Sequence, residues 1–206
     1  MEHSFKKVLK GYRLFRKKYA LSDTSVMQSL SRHGQKPRIM VVACCDSRVD
    51  PALILQCDPG DLFVARNVAN IIPPYEDDQG HHGTSAALEF GITFLEVKNL
   101  IILGHSQCGG VEAAMSGIEF PKNDFISDWV SLIKTDSLAH KNTDDYAKWA
   151  LTQSHSNCIT FPWIKERVEQ EKLIIHLWFF DIKTGQIFMY SDEHKNYQPL
   201  DIHNFE

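Results

Sequence analysis

The chain has 206 residues, 43% hydrophobic and 23% charged, enough for one ordinary core and too few for two. That balance excludes a disordered polypeptide, and a formal net charge of −4 removes the basic footprint that nucleic-acid binding needs. No apolar run is long enough to span a membrane, and charges interrupt the first 20 residues, where a secretory leader would be apolar.

Five cysteines, two of them adjacent, make a poor disulfide framework. Reduced thiols in a cytoplasmic protein are expected instead, some of them reserved for metal. The reading is therefore a single domain over 1–206, its first 34 residues forming a helical arm.

Residues 3–19 carry Phe5, Val8, Leu9, Tyr12 and Phe15 at helical spacing, with Lys6, Lys7, Lys10, Arg13, Arg16, Lys17 and Lys18 on the solvated side. Ser22 or Asp23 can cap a second helix running to Arg32 and stopped by His33-Gly34. Two helices ahead of the first strand exceed what so small a sheet can cover. The arm is therefore expected to pack on a partner subunit.

A first buried strand is predicted over about 38–43 and a short helix from Pro51. Leu62-Phe63-Val64-Ala65 forms a second strand, ending in Arg66-Asn67, and a long loop follows from Val68 to Gly83. A helix over 84–96 precedes a third strand, 100–103, and another helix starts near Val111. From Asn123 to Gln170 the pattern is helical in three pieces, broken near residues 140–142 and at Pro162. A fourth strand over 173–180 turns through Asp181–Gly185 into a hairpin with 186–190. Alternating helices and apolar strands predict an α/β fold. Its sheet would be mostly parallel, about four strands with an antiparallel edge strand, flanked by helices.

Chemistry-bearing residues gather directly after two of these strands. Cys44, Asp46 and Arg48 alternate beyond the first, so they can project one way. His105 and Cys108 follow the third. If those strands are neighbours, two thiolates and an imidazole converge at the carboxyl edge of the sheet. That is a tetrahedral zinc set with an open fourth position, as catalytic zinc requires.

Taken singly, Cys44 reads as a buried core thiol and His-x-x-Cys as a weak signal; the joint pattern favours metal. Cys45 points away from Cys44, while Cys57 and Cys158 read as core residues and His81-His82 as surface. A vicinal Cys44–Cys45 redox pair would need a strained ring.

Two segments resemble the signatures of the β-class carbonic anhydrases: Cys44-Cys45-Asp46-Ser47-Arg48, and Gly104-His105-Ser106-Gln107-Cys108-Gly109-Gly110. The likeness extends through 60–67, 83–90 and the 180–185 turn. It implies reversible hydration of carbon dioxide to bicarbonate and a proton, by attack of zinc-bound hydroxide. One Zn2+ per chain would be held by Cys44, His105 and Cys108, with Asp46 and Arg48 as the catalytic dyad. Gln35, Phe63, Val68, Phe90 and the backbone of Gly109 would bind substrate. The implied partners are CO2 and bicarbonate, with neither nucleic acid nor membrane, and further copies of the chain in a homodimer or homotetramer. Gln35 and Phe63 would be lent across its interface.

Val41 stands where some bacterial members carry a Trp of an inhibitory bicarbonate site, which favours the plant-like type. His82 is a candidate proton shuttle. The alternatives are a CS2 or COS hydrolase on the same site, and a non-catalytic zinc- or bicarbonate-binding module.

Overall fold

At the centre of the molecule two apolar strands lie side by side. β1 (Ile39–Cys44) and β3 (Asn99–His105) pair in parallel, Val42 opposite Ile102, and every residue but the first of each is buried. Unbroken apolar runs are what strands covered on both faces require. The computed structural model describes residues 3–78, 80–116, 124–133 and 142–201. β2 (Leu62–Asn67) flanks β1 and β4 (Ile174–Asp181) flanks β3, both in parallel. β5 (Gln186–Ser191) and β6 (Asn196–Pro199) then add antiparallel strands, giving the order β2-β1-β3-β4-β5-β6.

The fold is thus the expected α/β sheet, with one correction: two antiparallel strands follow β4, where one was predicted. β6 reads Asn-Tyr-Gln-Pro, with no apolar alternation to reveal it. Its one large side chain, Tyr197, packs against Phe179 and Tyr190, and Lys148 approaches the Tyr197 and Phe179 rings.

α1 (His3–Tyr19) takes its predicted span but buries none of its residues. Its end is tied to the body through Tyr19 Oη to Asp58 at 2.5 Å and Lys18 Nζ to Asp58 at 3.2 Å. α2 (Val26–His33) starts later than expected. Its cap is Ser25, which is extended at φ −68° and ψ 156° and accepts from Gln28 N–H; Ser22 and Asp23 lie upstream. α3 (Pro51–Ile54) is capped by Asp50.

The predicted helix over 84–96 is α4 (Gly83–Glu89) continued by a π turn, Phe90–Phe94. A Cβ at Gly91 would sit 2.6 Å from the Met40 sulfur and 3.0 Å from the Phe63 ring, so only glycine lets this turn approach the sheet so closely. α5 (Gly109–Ser116), α6 (Ile126–Ser131), α7 (Thr143–Cys158) and α8 (Pro162–Glu169) complete the layers. The predicted break near residues 140–142 falls largely outside the described residues. α7 lies on β3 and β4, where Leu151 fills the space a side chain at Gly104 would need.

Candidate metal centre and active site

Because β1 and β3 run the same way side by side, their carboxyl ends open on one edge of the sheet. Cys44 ends β1, His105 ends β3, and Cys108 directly precedes α5. The ligand atoms of these three residues lie within 4.8 Å of one another, and all three residues are buried. The two sulfurs are 3.9 Å apart.

His105 Nδ1 sits 2.9 Å from the Ser106 carbonyl, which can only accept, so Nδ1 carries the proton. Nε2 is then a bare lone pair, buried and without a hydrogen-bond partner. An orphaned buried acceptor costs about 1–3 kcal/mol. Beside two thiols, it is the signature of a nitrogen prepared for a cation. The donor set fits zinc.

The surroundings favour negative charge on one of the two sulfurs, Cys44. Cys44 Sγ accepts from Asp46 N–H at 3.4 Å and from the Ala69 N–H. Cys108 Sγ lies at the amino end of α5, facing the Gly110 and Val111 N–H groups. The hydrogen bond from Cys108 pulls the Cys44 thiol below its ordinary range, and the same contact, together with burial, pushes Cys108 up. Cys158, buried among apolar side chains, is instead pushed up to about 12.

Asp46 and Arg48 form a bidentate pair, Nε to Oδ1 at 2.9 Å and Nη2 to Oδ2 at 2.6 Å. The Arg48 guanidinium holds the Asp46 carboxyl well below the usual carboxylate range. Oδ1 also accepts the Arg48 backbone N–H, so Oδ2 is the oxygen with a lone pair to spare. Arg48 reaches across to the Gln107 carbonyl at 3.1 Å, joining the two halves of the site. Gln107 adopts a left-handed φ of 54°, and its N–H donates to Asp144 at 2.9 Å.

The substrate-pocket residues divide. Val68 lies at the carboxyl end of β2, its carbonyl held by Trp129 Nε1 at 2.8 Å. Its side chain would meet a Cβ at Gly110 at 2.7 Å, so Gly110 is a packing requirement, whereas Gly109 faces open space. Phe63 is placed differently: it pairs with Met40, four residues before the level of Cys44, or about 13 Å along the strand. Its ring meets Phe90 at 5.8 Å, and Phe90 meets Phe94 at 5.6 Å. Gln35 is exposed ahead of the start of β1, at the opposite end of that strand from Cys44.

Cys45 is exposed, as its opposed direction predicts. His82 Nε2 lies 2.6 Å from Asp78 and its Nδ1 4.0 Å from Glu76, a grouping in the surface loop. Among the described residues no contact ties His82 to the cysteine cluster. Sequence reasoning missed the second layer: Arg66, Asp50, and the Ser106–Asp181 pair that anchors the His105 strand end to β4. For Arg66 there was a signal, since it lies one residue from the end of the second strand, at the same sheet edge as Cys44.

Residues 39–187 match the family described as carbonic anhydrase. A carbonic anhydrase of Synechocystis sp. is 34% identical over 195 residues, covering 89% of this chain and 70% of that protein. The solved structure of the β-carbonic anhydrase CcaA superposes with a TM-score of 0.84 at 30% identity, covering 98% of this chain and 94% of that one. A tetrameric β-carbonic anhydrase of Sordaria macrospora gives 0.78 at 28%, covering 91% and 97%. With the family matched from β1 into β5 and the relatives sharing its fold almost end to end, this chain belongs to the β-class carbonic anhydrases, the lyases that interconvert carbon dioxide and bicarbonate.

Proposed function

We propose that this chain is a zinc-dependent carbonic anhydrase, with Cys44, His105 and Cys108 holding the metal and Asp46 and Arg48 serving the reaction. The observation that carries the reading is the buried, partnerless Nε2 of His105 facing two thiols. Zinc held there supplies Lewis acidity, which makes water nucleophilic near neutral pH.

The chain's own residues do the rest. Asp46, kept ionised by Arg48, can only accept a hydrogen bond, and its Oδ2 takes the proton side of the attacking water. This turns an oxygen lone pair towards the carbon of CO2. Val68 keeps one wall apolar, and Gly109 leaves room for a small linear substrate.

Gln35 lies ahead of β1, Phe63 lies near the start of β2, and Phe90 packs on Phe63, all away from the strand ends that carry the same chain's cysteines. The reading therefore takes an oligomer in which the partner's Gln35 hydrogen-bonds the substrate oxygen that gains charge. The exposed edge of β2, with Phe90 and Phe94, is the surface offered for that contact, and α1 offers its unburied apolar face. Five unpaired cysteines suit a reducing, cytoplasmic setting. No helix among the described residues is long and apolar enough to cross a membrane.

Stopped-flow CO2 hydration, with zinc quantified on the same sample, tests the reading. Stoichiometric zinc with hydration far above the buffer rate is expected. Tight zinc with no acceleration would leave a binding module, and faster turnover of CS2 or COS in a parallel assay would reassign the substrate.

A further inference from the structure

The segment between the first cysteine and the dyad has left the sheet, and something must hold it. The last ladder bond of β1 is Cys45 N–H to the Asn67 carbonyl at 2.9 Å. Beyond it the chain turns through Asp46 and Arg48 to Asp50, where α3 begins. One side chain from the neighbouring strand spans this turn. Arg66 donates Nε to the Cys44 carbonyl at 2.8 Å and Nη2 to the Asp46 carbonyl at 2.8 Å. Its third nitrogen, Nη1, pairs with Asp50 Oδ2 at 3.0 Å. The other oxygen of Asp50 caps α3 by accepting Leu53 N–H at 3.2 Å.

We propose that Arg66, braced by Asp50, is a positioning residue that sets the geometry between the Cys44 sulfur and the Asp46 carboxylate. The two carbonyls it grips belong to the metal ligand and the dyad acid. A rotation of either peptide would swing a sulfur or a carboxylate off the common centre. The planar fork of a guanidinium fixes both carbonyls and the Asp50 carboxylate at once, which a lysine ammonium, a single point charge, cannot do. The division of labour is plain: Arg48 orients the carboxylate, and Arg66 orients the backbone that carries it. Arg66 has no role at the reacting atoms themselves. Outer-layer partners of metal ligands typically matter by about 10–100-fold in metal affinity or rate.

The activity arm of the test rests on the function proposed above; the metal arm does not. The protein is loaded with Co2+, its visible absorption bands are recorded, and zinc affinity is measured against a chelator. Arg66→Ala should alter the Co2+ bands and weaken zinc about 10–100-fold, with kcat falling more than KM changes. Methylguanidinium should restore part of both, while Arg66→Lys should not. Parent-like bands and affinity in Arg66→Ala would overturn the proposal, as would a loss that methylguanidinium leaves unchanged. Should Arg66→Ala not fold, Asp50→Asn is the milder probe. A smaller shift of the bands in the same direction supports the bracing, and an unshifted spectrum refutes it. If the parent loads metal and responds in this way yet hydrates no CO2, the functional reading fails while the positioning role stands.

Discussion

Where β1 and β3 end side by side, two sulfurs and a ring nitrogen are buried together, and the turn that follows Cys44 is held through the Cys44 and Asp46 carbonyls. At the amino end of β1, Gln35 is exposed, and Phe90 and Phe94 turn toward open surface along the β2 edge. The first region is buried within one chain, and the second is open to the surface. Most buried polar atoms at the cysteine end find partners within the chain, because each one left unsatisfied costs about 1–3 kcal/mol; His105 Nε2 is the exception. Apolar side chains at an edge can stay exposed in the single chain, and such a patch is what a second copy would cover under the proposed function. Under the function proposed above, the metal centre is a property of the chain and the substrate pocket a property of the assembly.

The sharpest way to break that contrast is at the cysteine. Cys44→Ala should lose zinc and drop CO2 hydration to the buffer background, with the far-ultraviolet spectrum unchanged, as read by metal analysis and stopped flow. Retained zinc would mean the three side chains do not form the site. Asp46→Asn should keep zinc yet slow turnover about 10²–10⁴-fold, because an amide can present a donor where only an acceptor serves. Parent-like rates would remove Asp46 from the mechanism.

A mixing experiment tests the shared pocket. Gln35→Ala and Cys44→Ala subunits, each poorly active alone, should regain activity when exchanged together. In a randomly mixed dimer population about a quarter of the sites combine an intact cysteine with an intact glutamine. No recovery despite proven subunit exchange would return Gln35 to its own chain or to no role. Phe94→Glu places a charge on a side chain that is 70% exposed in one chain. It should leave the isolated fold intact while shifting sedimentation towards smaller species, with activity falling in parallel.

The smallest effect comes from a thiol outside the site. Burial raises the Cys158 pKa in the folded state to about 12, from an ordinary thiol value near 9.0. A raised pKa means the folded chain holds a proton that the unfolded chain has released. Its contribution is therefore full below the unfolded value and declines as pH rises towards the folded one. Stability should fall by about 1.4 kcal/mol per pH unit in that window. Denaturation of Cys158→Ala beside the parent isolates the slope; equal slopes would place Cys158 in contact with solvent.

How much was legible follows from what each feature depends on. The apolar runs over 39–43 and 100–103 announced buried parallel strands because each is short, continuous and closed by a polar cluster. Asp181–Gly185 announced a hairpin through turn chemistry, and the structure has Asp181 accepting from Lys183 N–H and Thr184 Oγ1. Ser25 was passed over for Ser22 because any short polar side chain can cap, and only the path of the chain selects among them. β6 was invisible because a strand of four mostly polar residues is held by its neighbour and by one tyrosine, neither of which has a periodic trace.

By itself, the sequence determined which side chains could ligate a metal, their placement just past two apolar strands, and the pairing of carboxylate with guanidinium two residues on. Those are local facts, carried by side-chain chemistry and short spacings. Tertiary structure alone decided that β1 and β3 are adjacent, that His105 presents a bare Nε2 to two sulfurs, and that Arg66 reaches over to grip the turn of another strand. It also decided that Gln35 and Phe63 stand at the far end of their strands from the cysteine. Strand order, tautomer and reach depend on which backbone groups find partners once the chain has closed on itself, and no spacing along the polymer encodes that.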